Sequence, residues 1–319
     1  MKGYGLMSKN IVGIAIPAPD ARSVVNAVVE AESVGVSAVW LTSGGEAGDA
    51  LTALAVAVAQ TERIKVGTSI MQTWSRHPVT AARQAQAIDA IAPDRLRLGV
   101  GPGHLQAMQE TFGAGFNAPL SHLTEYVRVL KGLLGEGNID LKGDHIIANA
   151  SLPAPTGVSV LASALRPRSF EMCGAEGIGA ISWVCPHNYV RDTALPAMNA
   201  GAASAGHDTA PLVVHAAVCV TEDVDAAKQG VKDQLGYFPH IPFYARMFAA
   251  AGFSNSEQSG WTDEMLDSLL LSGDESTVAA RIRAIFDWGA DEVLASVITI
   301  GNAEESRLRT LRLLAEVDK

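Results

Sequence analysis

A glycine-rich turn that presents a histidine is the first candidate for chemistry in this sequence. The run LRLGVGPGH predicts a buried strand over residues 96–100, followed by Gly101 and Gly103, which would let a planar ligand lie close to the backbone. His104 comes next, and an imidazole with an ordinary pKa of about 6.5 suits proton transfer near neutrality. A solvated loop histidine is the ordinary alternative, so the motif alone supports two interpretations.

A second candidate is an anion site where the next predicted strand ends. The run VLASALRP places the backbone N–H groups of Ala164, Leu165 and Arg166 at the start of a helix, beside a cationic side chain. Helix N-termini attract anions through such N–H groups and through the helix dipole. A plain helix start with a surface arginine is the alternative.

A third group of polar and aromatic residues ends the following strand, in the run ISWVCPHN. Ser182 could hydrogen-bond a phosphate, Trp183 could pack on a ring, and His187 could line a pocket. The alternative interpretation places Trp183 and Cys185 in the hydrophobic core.

Two further histidines favour structural roles, and one aromatic cluster has two interpretations. His215, within VVHAAVCV, is typical of a buried position inside a barrel, and His77, before Pro78, is expected to order a helix start. The aromatic cluster either covers a substrate pocket or contacts a second subunit. It comprises Tyr237, Phe238, His240, Phe243 and Tyr244.

The elements that must position these residues alternate between β-branched runs and alanine-rich helical segments. This alternation predicts an α/β protein with eight βα units in a (β/α)8 TIM barrel, where ligands bind at the carboxyl ends of the strands. An open doubly wound sheet is the alternative, but no GxGxxG motif follows the first strand. The predicted strands cover residues 11–16, 38–41, 65–70, 96–100, 158–162, 179–183, 212–220 and 292–298. Predicted helix N-caps are Asp20, Asp49 and Asp223, and a fourth cap is expected within residues 272–274.

The length beyond a typical barrel of about 250 residues falls after the fourth and seventh strands. Residues of about 101–157 contain a predicted small hairpin around Gly143, and residues of about 236–272 carry two apolar helical runs, FYARMFAAAG and TDEMLDSLLL. Both insertions are expected at the ligand-binding end of the barrel. No linker divides the sequence, so residues 1–319 are expected to form a single domain, with residues 1–10 as an extension.

The composition argues against several functional classes. The net charge of −10 opposes binding to nucleic acid or to an anionic membrane surface. The three cysteines lack metal or disulfide spacing, and the start of the sequence has no apolar signal core. We therefore expect a cytoplasmic protein without a metal site, acting on a small-molecule substrate and forming a homodimer.

Five runs of this sequence resemble, in order and spacing, the bacterial luciferase-like superfamily and, more narrowly, its branch that depends on the deazaflavin coenzyme F420. The resemblance implies an F420-dependent oxidoreductase. An FMN-dependent monooxygenase of the same superfamily and a barrel that binds such a ligand without turnover are the alternatives. The runs lie between about residues 11 and 298 and read GTSIMQTWSRHP, DRLRLGVGPGH, IDLKGDHI, VLASALRPRSFEMCGAEGIGAISWV and LSGDESTVAARIRAIFDWGADEV.

The resemblance also implies roles for individual residues. In the family, the third strand ends in a bulge with a cis peptide behind the deazaflavin ring; Ser69 and Ile70 match that bulge, and Met71 follows. The turn at Gly103 and His104 would contact the coenzyme from the next strand. Its phosphate and tail would be held by the matching residues Ala164, Leu165, Arg166, Ser182 and Trp183.

Two departures from the family pattern favour a reductase. Sugar-phosphate dehydrogenases of the family have glutamate where this sequence has His104, and alcohol-oxidising relatives have Asp-His where it has Ser43 and Gly44. The base that would abstract an alcohol proton is therefore missing from its usual position, and His104 is expected to supply a proton instead. Ser43 is expected to contact the coenzyme. Arg166 and Arg168 are expected to pair with its tail carboxylates, which FMN lacks.

Overall fold

Eight parallel strands close into a barrel in the computed structural model, which describes residues 10–17, 19–42 and 48–317. The strands are β1 (Ile11–Ile16), β2 (Ala38–Thr42), β3 (Lys65–Ser69), β4 (Met71–Gln72), β5 (Leu96–Gly101), β6 (Asn138–Lys142), β7 (Ile147–Ser151), β8 (Ser159–Ser163), β9 (Gly179–Ser182), β10 (Leu212–Val220), β11 (Leu270–Gly273) and β12 (Glu292–Val297). Around the barrel the order is β1, β2, β3, β5, β8, β9, β10 and β12, and β12 pairs with β1. This closure confirms the predicted (β/α)8 barrel and excludes an open sheet.

Helices follow the strands and begin at the predicted caps. The carboxylates of Asp20, Asp49, Asp223 and Asp274 each accept a hydrogen bond from a backbone N–H in the first turn. Among the described helices, none is long and apolar enough to cross a membrane. They are α1 (Ala21–Val34), α2 (Ala50–Ala59), α3 (Pro78–Ile91), α4 (Leu105–Phe112), α5 (Pro119–Lys131), α6 (Pro167–Glu176), α7 (His187–Tyr189), α8 (Leu195–Ala205), α9 (Val224–Leu235), α10 (Pro242–Ala250), α11 (Ser256–Ser259), α12 (Asp263–Asp267), α13 (Glu275–Asp287) and α14 (Ala303–Val317). Short π-helical turns cover Gly132–Glu136 and Val190–Ala194, and a 3₁₀ turn covers Phe238–His240.

The insertion after β5 carries α4, α5 and the hairpin of β6 and β7, whose antiparallel pairing confirms the predicted hairpin. Glu125 of α5 holds the tip of this hairpin. Its carboxylate accepts hydrogen bonds of 3.0, 2.9 and 2.8 Å from the backbone N–H groups of Asp144, His145 and Ile146. The insertion is therefore fastened to the helix that precedes it.

The insertion after β10 differs from the sequence prediction at its end. The run TDEMLDSLLL was expected to be helical throughout, but α12 ends at Asp267 and Leu270–Gly273 forms β11, parallel to the end of β10. β9 pairs with β10 only as far as Val214. Unpaired backbone groups in a buried strand cost free energy. Beyond the end of β9, β11 pairs with residues Ala217–Val220 of β10 and supplies the missing backbone partners.

A buried ion pair fills the barrel interior towards the amino-terminal ends of the strands. Arg97 pairs with Glu292, and the Trp40 Nε1–H donates a hydrogen bond of 2.6 Å to Glu292 Oε1. The Arg97 guanidinium also lies 4.1 Å from the centroid of the Trp40 ring. These large side chains fill the lower part of the barrel interior, and in barrels of this kind ligands bind at the carboxyl ends of the strands, here called the mouth.

Candidate active site

The floor of the mouth is formed where β3 and β5 end. The peptide bond between Ser69 and Ile70 is cis, as predicted, and β4 then pairs with β5 through Met71 and Val100. Ile70 is half-buried beside Gly101, where a Cβ atom would overlap Ser163 Oγ and lie 3.1 Å from Ile70 Cδ1. Gly101 carries no side chain, so Ser163 and Ile70 pack directly against its backbone.

The turn that follows β5 presents His104 at the rim. Gly103 has φ of +70°, a left-handed conformation that favours glycine, and it leads into His104 as the N-cap residue of α4. The His104 side chain makes no capping hydrogen bond and is exposed. Partial loss of water around the ring still lowers the pKa of His104 below its usual 6.5. The ring is therefore mainly neutral at pH 7 and free to contact a ligand.

Aromatic side chains from the insertion after β10 cover one side of the mouth. The Tyr244 ring centroid lies 6.3 Å from that of His104 and 4.7 Å from that of Phe238. Phe238 lies 6.5 Å from Trp183, which follows β9 and is half-buried. Phe238 and Tyr244 are thus placed as one of the two interpretations of the aromatic cluster expects, over one side of the mouth. Tyr237 is 57% exposed. A subunit contact through Tyr237 stays a prediction.

The predicted anion site differs from expectation in its backbone. The Ala164 N–H donates to the carbonyl oxygen of Ile181 at 2.9 Å, and the N–H groups of Leu165 and Arg166 both donate to Ser169 Oγ at 3.2 Å. These three amides were expected to face an anion, but they bind acceptors within the chain: the Ala164 amide continues the pairing of β8 with β9, and the other two cap the first turn of α6. The exposed side chains of Arg166 and Arg168 form no ion pair within the described residues, and they leave positive charge at this edge of the mouth.

Two other predicted coenzyme contacts have their side chains turned away from the mouth. Ser182 is fully buried, and its hydroxyl donates to the carbonyl oxygen of Val213 at 3.4 Å, between β9 and β10. Met71 is 6% exposed, and its sulfur accepts a hydrogen bond of 3.3 Å from Arg76. The structure thus does not bring either side chain to the ligand surface. Ser43 and Gly44 lie outside the described residues.

His215 is fully buried, as predicted, and it supports a serine that the sequence analysis missed. The Val184 N–H donates to His215 Nδ1 at 3.2 Å, and His215 Nε2 lies 2.9 Å from Ser296 Oγ. Burial lowers the pKa of His215 to about 3, so the ring is neutral at ordinary pH. Ser296 lies near the end of β12, four residues after the inward-facing Glu292. That spacing along a strand is the signal that could have identified it.

His77 and His187 make hydrogen bonds within the chain. His77 is the N-cap of α3, and its Nδ1 accepts a hydrogen bond from the Val79 N–H at 3.3 Å, which confirms that it orders a helix start. His187 Nε2 lies 3.1 Å from the carbonyl oxygen of His215, and burial lowers the pKa of His187 to about 4. No group of three or more His, Cys, Asp or Glu side chains suited to a metal ion occurs within the described ranges.

Residues 3–292 match the luciferase-like monooxygenase family. This protein belongs to that family. It is similar to 5,10-methylenetetrahydromethanopterin reductase of Methanolobus tindarius, with 25% identity over 317 residues that cover 93% of this chain and 96% of the relative.

Solved structures of the luciferase-like fold resemble the barrel closely. An F420-dependent secondary alcohol dehydrogenase, solved with an F420–acetone adduct, has a TM-score of 0.78 and 16% identity and covers 97% of this chain and 99% of its own. A type II Baeyer–Villiger monooxygenase from Pseudomonas putida, solved with FMN, has a TM-score of 0.73 and 16% identity and covers 96% of each chain. Because the sequence identity is 16% in both cases, this structural similarity establishes the fold alone.

Proposed function

We propose that this protein is an oxidoreductase that binds coenzyme F420 at the mouth and reduces a small organic substrate. The observation that carries the proposal is the floor of the mouth, where the half-buried Ile70 packs against the bare backbone of Gly101. Because neither Gly101 nor Gly103 carries a side chain, the surface beside Ile70 stays low, which fits a planar ring system. The similarity to the fold of an F420-dependent secondary alcohol dehydrogenase supports the same coenzyme.

When bound, the deazaflavin would supply or accept a hydride. The residues of this chain would position it: Ile70 behind the ring, Gly101 and Gly103 along its edge, and Arg166 with Arg168 beside its anionic tail. Phe238 and Tyr244 would exclude water from the side that receives the substrate. His104 would hold a proton at its ring nitrogen, at the rim of the same space.

The reductase direction rests on the second strand and on His104. Ser43 and Gly44 stand where alcohol-oxidising relatives have Asp-His, so the base for removing an alcohol proton is missing from that place. A protonated imidazole at the rim can instead donate to an atom that becomes basic as the substrate is reduced. Both considerations favour hydride transfer towards the substrate.

A second candidate is an FMN-dependent monooxygenase, favoured by the similar fold of the FMN-bound Baeyer–Villiger enzyme. The two candidates differ in the charge that the rim must hold, since the F420 tail ends in carboxylates and FMN has only a phosphate. The two exposed arginines without carboxylate partners in the described chain favour the longer anionic tail.

Fluorescence titrations of the purified protein with F420 and with FMN test this proposal. We expect tighter binding of F420, and we expect Arg166→Ala to weaken it by about tenfold, the effect of one charge-assisted hydrogen bond at an exposed site. Arg83→Ala is the control, because Arg83 is exposed on α3 and makes no ion pair within the described residues. Equal or stronger FMN affinity in the wild-type protein would refute the choice of coenzyme.

A further inference from the structure

The Ser296 hydroxyl lies at the mouth and is held by a histidine that has no solvent access. Ser296 is 9% exposed and His215 is fully buried. Leu294 belongs to the interior cluster that surrounds Trp40, and residues two apart on a strand face the same side. Ser296 therefore also faces the interior, one step closer to the mouth than Leu294.

The hydrogen bonds around His215 fix which atom carries its proton. Nδ1 accepts from the Val184 N–H, so in the neutral ring Nε2 carries the hydrogen and donates it to Ser296 Oγ, 2.9 Å away. Val184 adopts φ of +53°, which is rare for a β-branched residue, while its N–H makes this bond. The hydrogen bonds at Nδ1 and Nε2 together fix the orientation of the His215 ring.

Ser296 is left with a hydrogen that it can donate. Its oxygen accepts from His215, and no acceptor for its own O–H is found in the described part of the chain. Hydroxyl groups at such depth normally satisfy both roles. The orientation of the His215–Ser296 pair thus points to an acceptor atom supplied by a ligand.

The surroundings of Ser296 indicate the chemistry of that ligand. Ala15 and Trp183 pack against the interior cluster that includes Leu294, and the Trp183 ring centroid lies 4.1 Å from that of His215. None of these side chains carries a charge. A ligand here would therefore be mainly apolar, with one uncharged acceptor atom directed at Ser296.

We propose that Ser296 donates a hydrogen bond to the carbonyl oxygen of the substrate, and that His215 is the positioning residue that orients the Ser296 hydroxyl. The proposal rests on the proposed function and narrows its substrate class to uncharged carbonyl compounds with an apolar body. A hydrogen bond to a carbonyl oxygen draws electrons from the carbonyl carbon and prepares it for reduction.

Cyclohexanone is a suitable probe, with methylenecyclohexane as a ligand of the same shape that lacks the acceptor oxygen. Affinities are measured by ligand-observed NMR titration, with the protein alone and after saturation with F420. We expect Ser296→Ala to weaken cyclohexanone binding by about tenfold and to leave methylenecyclohexane binding unchanged. Ser296→Thr, which retains the hydroxyl, should bind cyclohexanone within about threefold of the wild type.

Substitutions of His215 separate positioning from packing. His215→Gln places an amide N–H near the position of Nε2 and should retain cyclohexanone affinity. His215→Asn is too short to reach Ser296 and should lose affinity to the same extent as Ser296→Ala. A merely structural role for His215 would instead change the affinities of both ligands together.

The proposal is overturned if cyclohexanone does not bind the wild-type protein, or if Ser296→Ala binds it equally well. Titration of the same samples with F420 keeps this outcome apart from the proposed function. F420 binding with no effect of Ser296 on cyclohexanone leaves the coenzyme assignment intact and removes the carbonyl site. Serine-dependent cyclohexanone binding without F420 binding would support the carbonyl site and refute the coenzyme assignment.

Discussion

The histidines near the mouth are held in different ways, and this determines what each can do. His215 is bound on both ring nitrogens, and His187 through its Nε2, whereas His104 makes no capping bond and lies at the exposed rim. A ring that is fixed and buried cannot exchange protons with a ligand during turnover. We therefore propose proton transfer for His104 and a positioning role for His215.

The first prediction concerns His104. His104→Ala should lower the rate at which 2-cyclohexen-1-one reoxidises bound, reduced F420 by about 10²–10⁴-fold, the usual effect of removing a positioned acid. F420 affinity should change little, because a proton donor acts in the transition state rather than in binding. Gln106→Ala, an exposed change on the same helix, is the control.

The pH dependence of this rate gives an independent measurement. The pKa of His104 is lowered from 6.5, so its protonated fraction falls as the pH rises through that lowered value. The wild-type rate should therefore decrease from acid to neutral pH, and the decrease should be missing in His104→Ala. A collapse of F420 affinity with a normal rate at saturation would instead make His104 a binding residue.

At the level of elements, burial of both strand faces explains a success of the sequence analysis, and the alternation of side chains along a strand explains a failure. The β-branched runs predicted all eight barrel strands to within about two residues, because a strand buried on both faces needs continuous apolar residues. The same alternation shows why Ser182 and Trp183 do not both face the mouth. Successive side chains on a strand point to opposite sides, and Ile181 already occupies the interior.

Other features depend on contacts between separate elements, which a short stretch of sequence cannot predict. The run LLSG has apolar residues that suit a helix or a strand, and its pairing with the end of β10 decides in favour of β11. The amides of residues 164–166 lie at a helix start as predicted, but Ser169 Oγ and the Ile181 carbonyl compete with any anion for them. The orientation of Ser296 requires His215, which is 81 residues away in sequence.

The second prediction concerns the glycine at the end of β5. Gly101→Ala adds a methyl group that overlaps Ser163 Oγ and occupies the floor beside Ile70. Overpacking of this kind typically lowers the free energy of unfolding by about 1–3 kcal/mol, measured here by urea denaturation. F420 affinity should fall by about tenfold, since the methyl group displaces Ile70, which is proposed to lie behind the ring.

A double variant separates these two effects. Gly101→Ala combined with Ser163→Ala removes the overlapping hydroxyl, so it should regain most of the lost stability but not the coenzyme affinity. Gly48→Ala is the control for stability, because a Cβ there would meet no atom within 4 Å. If Gly101→Ala binds F420 as tightly as the wild type does, the coenzyme does not lie against this strand.

For the whole molecule, the buried charges and the buried histidines respond differently to pH. Arg97 and Glu292 are paired with each other inside the barrel, so neither ion is left without a partner of opposite charge. The buried rings of His122 and His215 and the partly buried ring of His187 are instead neutral, and burial is the main cause that lowers their pKa values, to about 4 for His122 and His187 and about 3 for His215. Protonation of these rings is therefore much easier in the unfolded chain than in the folded barrel.

The last prediction follows from these three histidines. Below about pH 6.5 the unfolded chain takes up protons on them that the folded chain does not, until the pH approaches 4. Since the folded pKa values are depressed, the stability is fully present above pH 6.5 and is lost as the pH falls. Three protons correspond to a slope of about 4 kcal/mol per pH unit between about pH 5.5 and 4.5.

Urea denaturation followed by tryptophan fluorescence measures how the free energy of unfolding depends on pH. His215→Gln should reduce the slope by about one third, whereas His207→Gln, an exposed control, should not. A free energy of unfolding that stays constant from pH 7 to pH 5 would show that these rings are protonated in the folded protein.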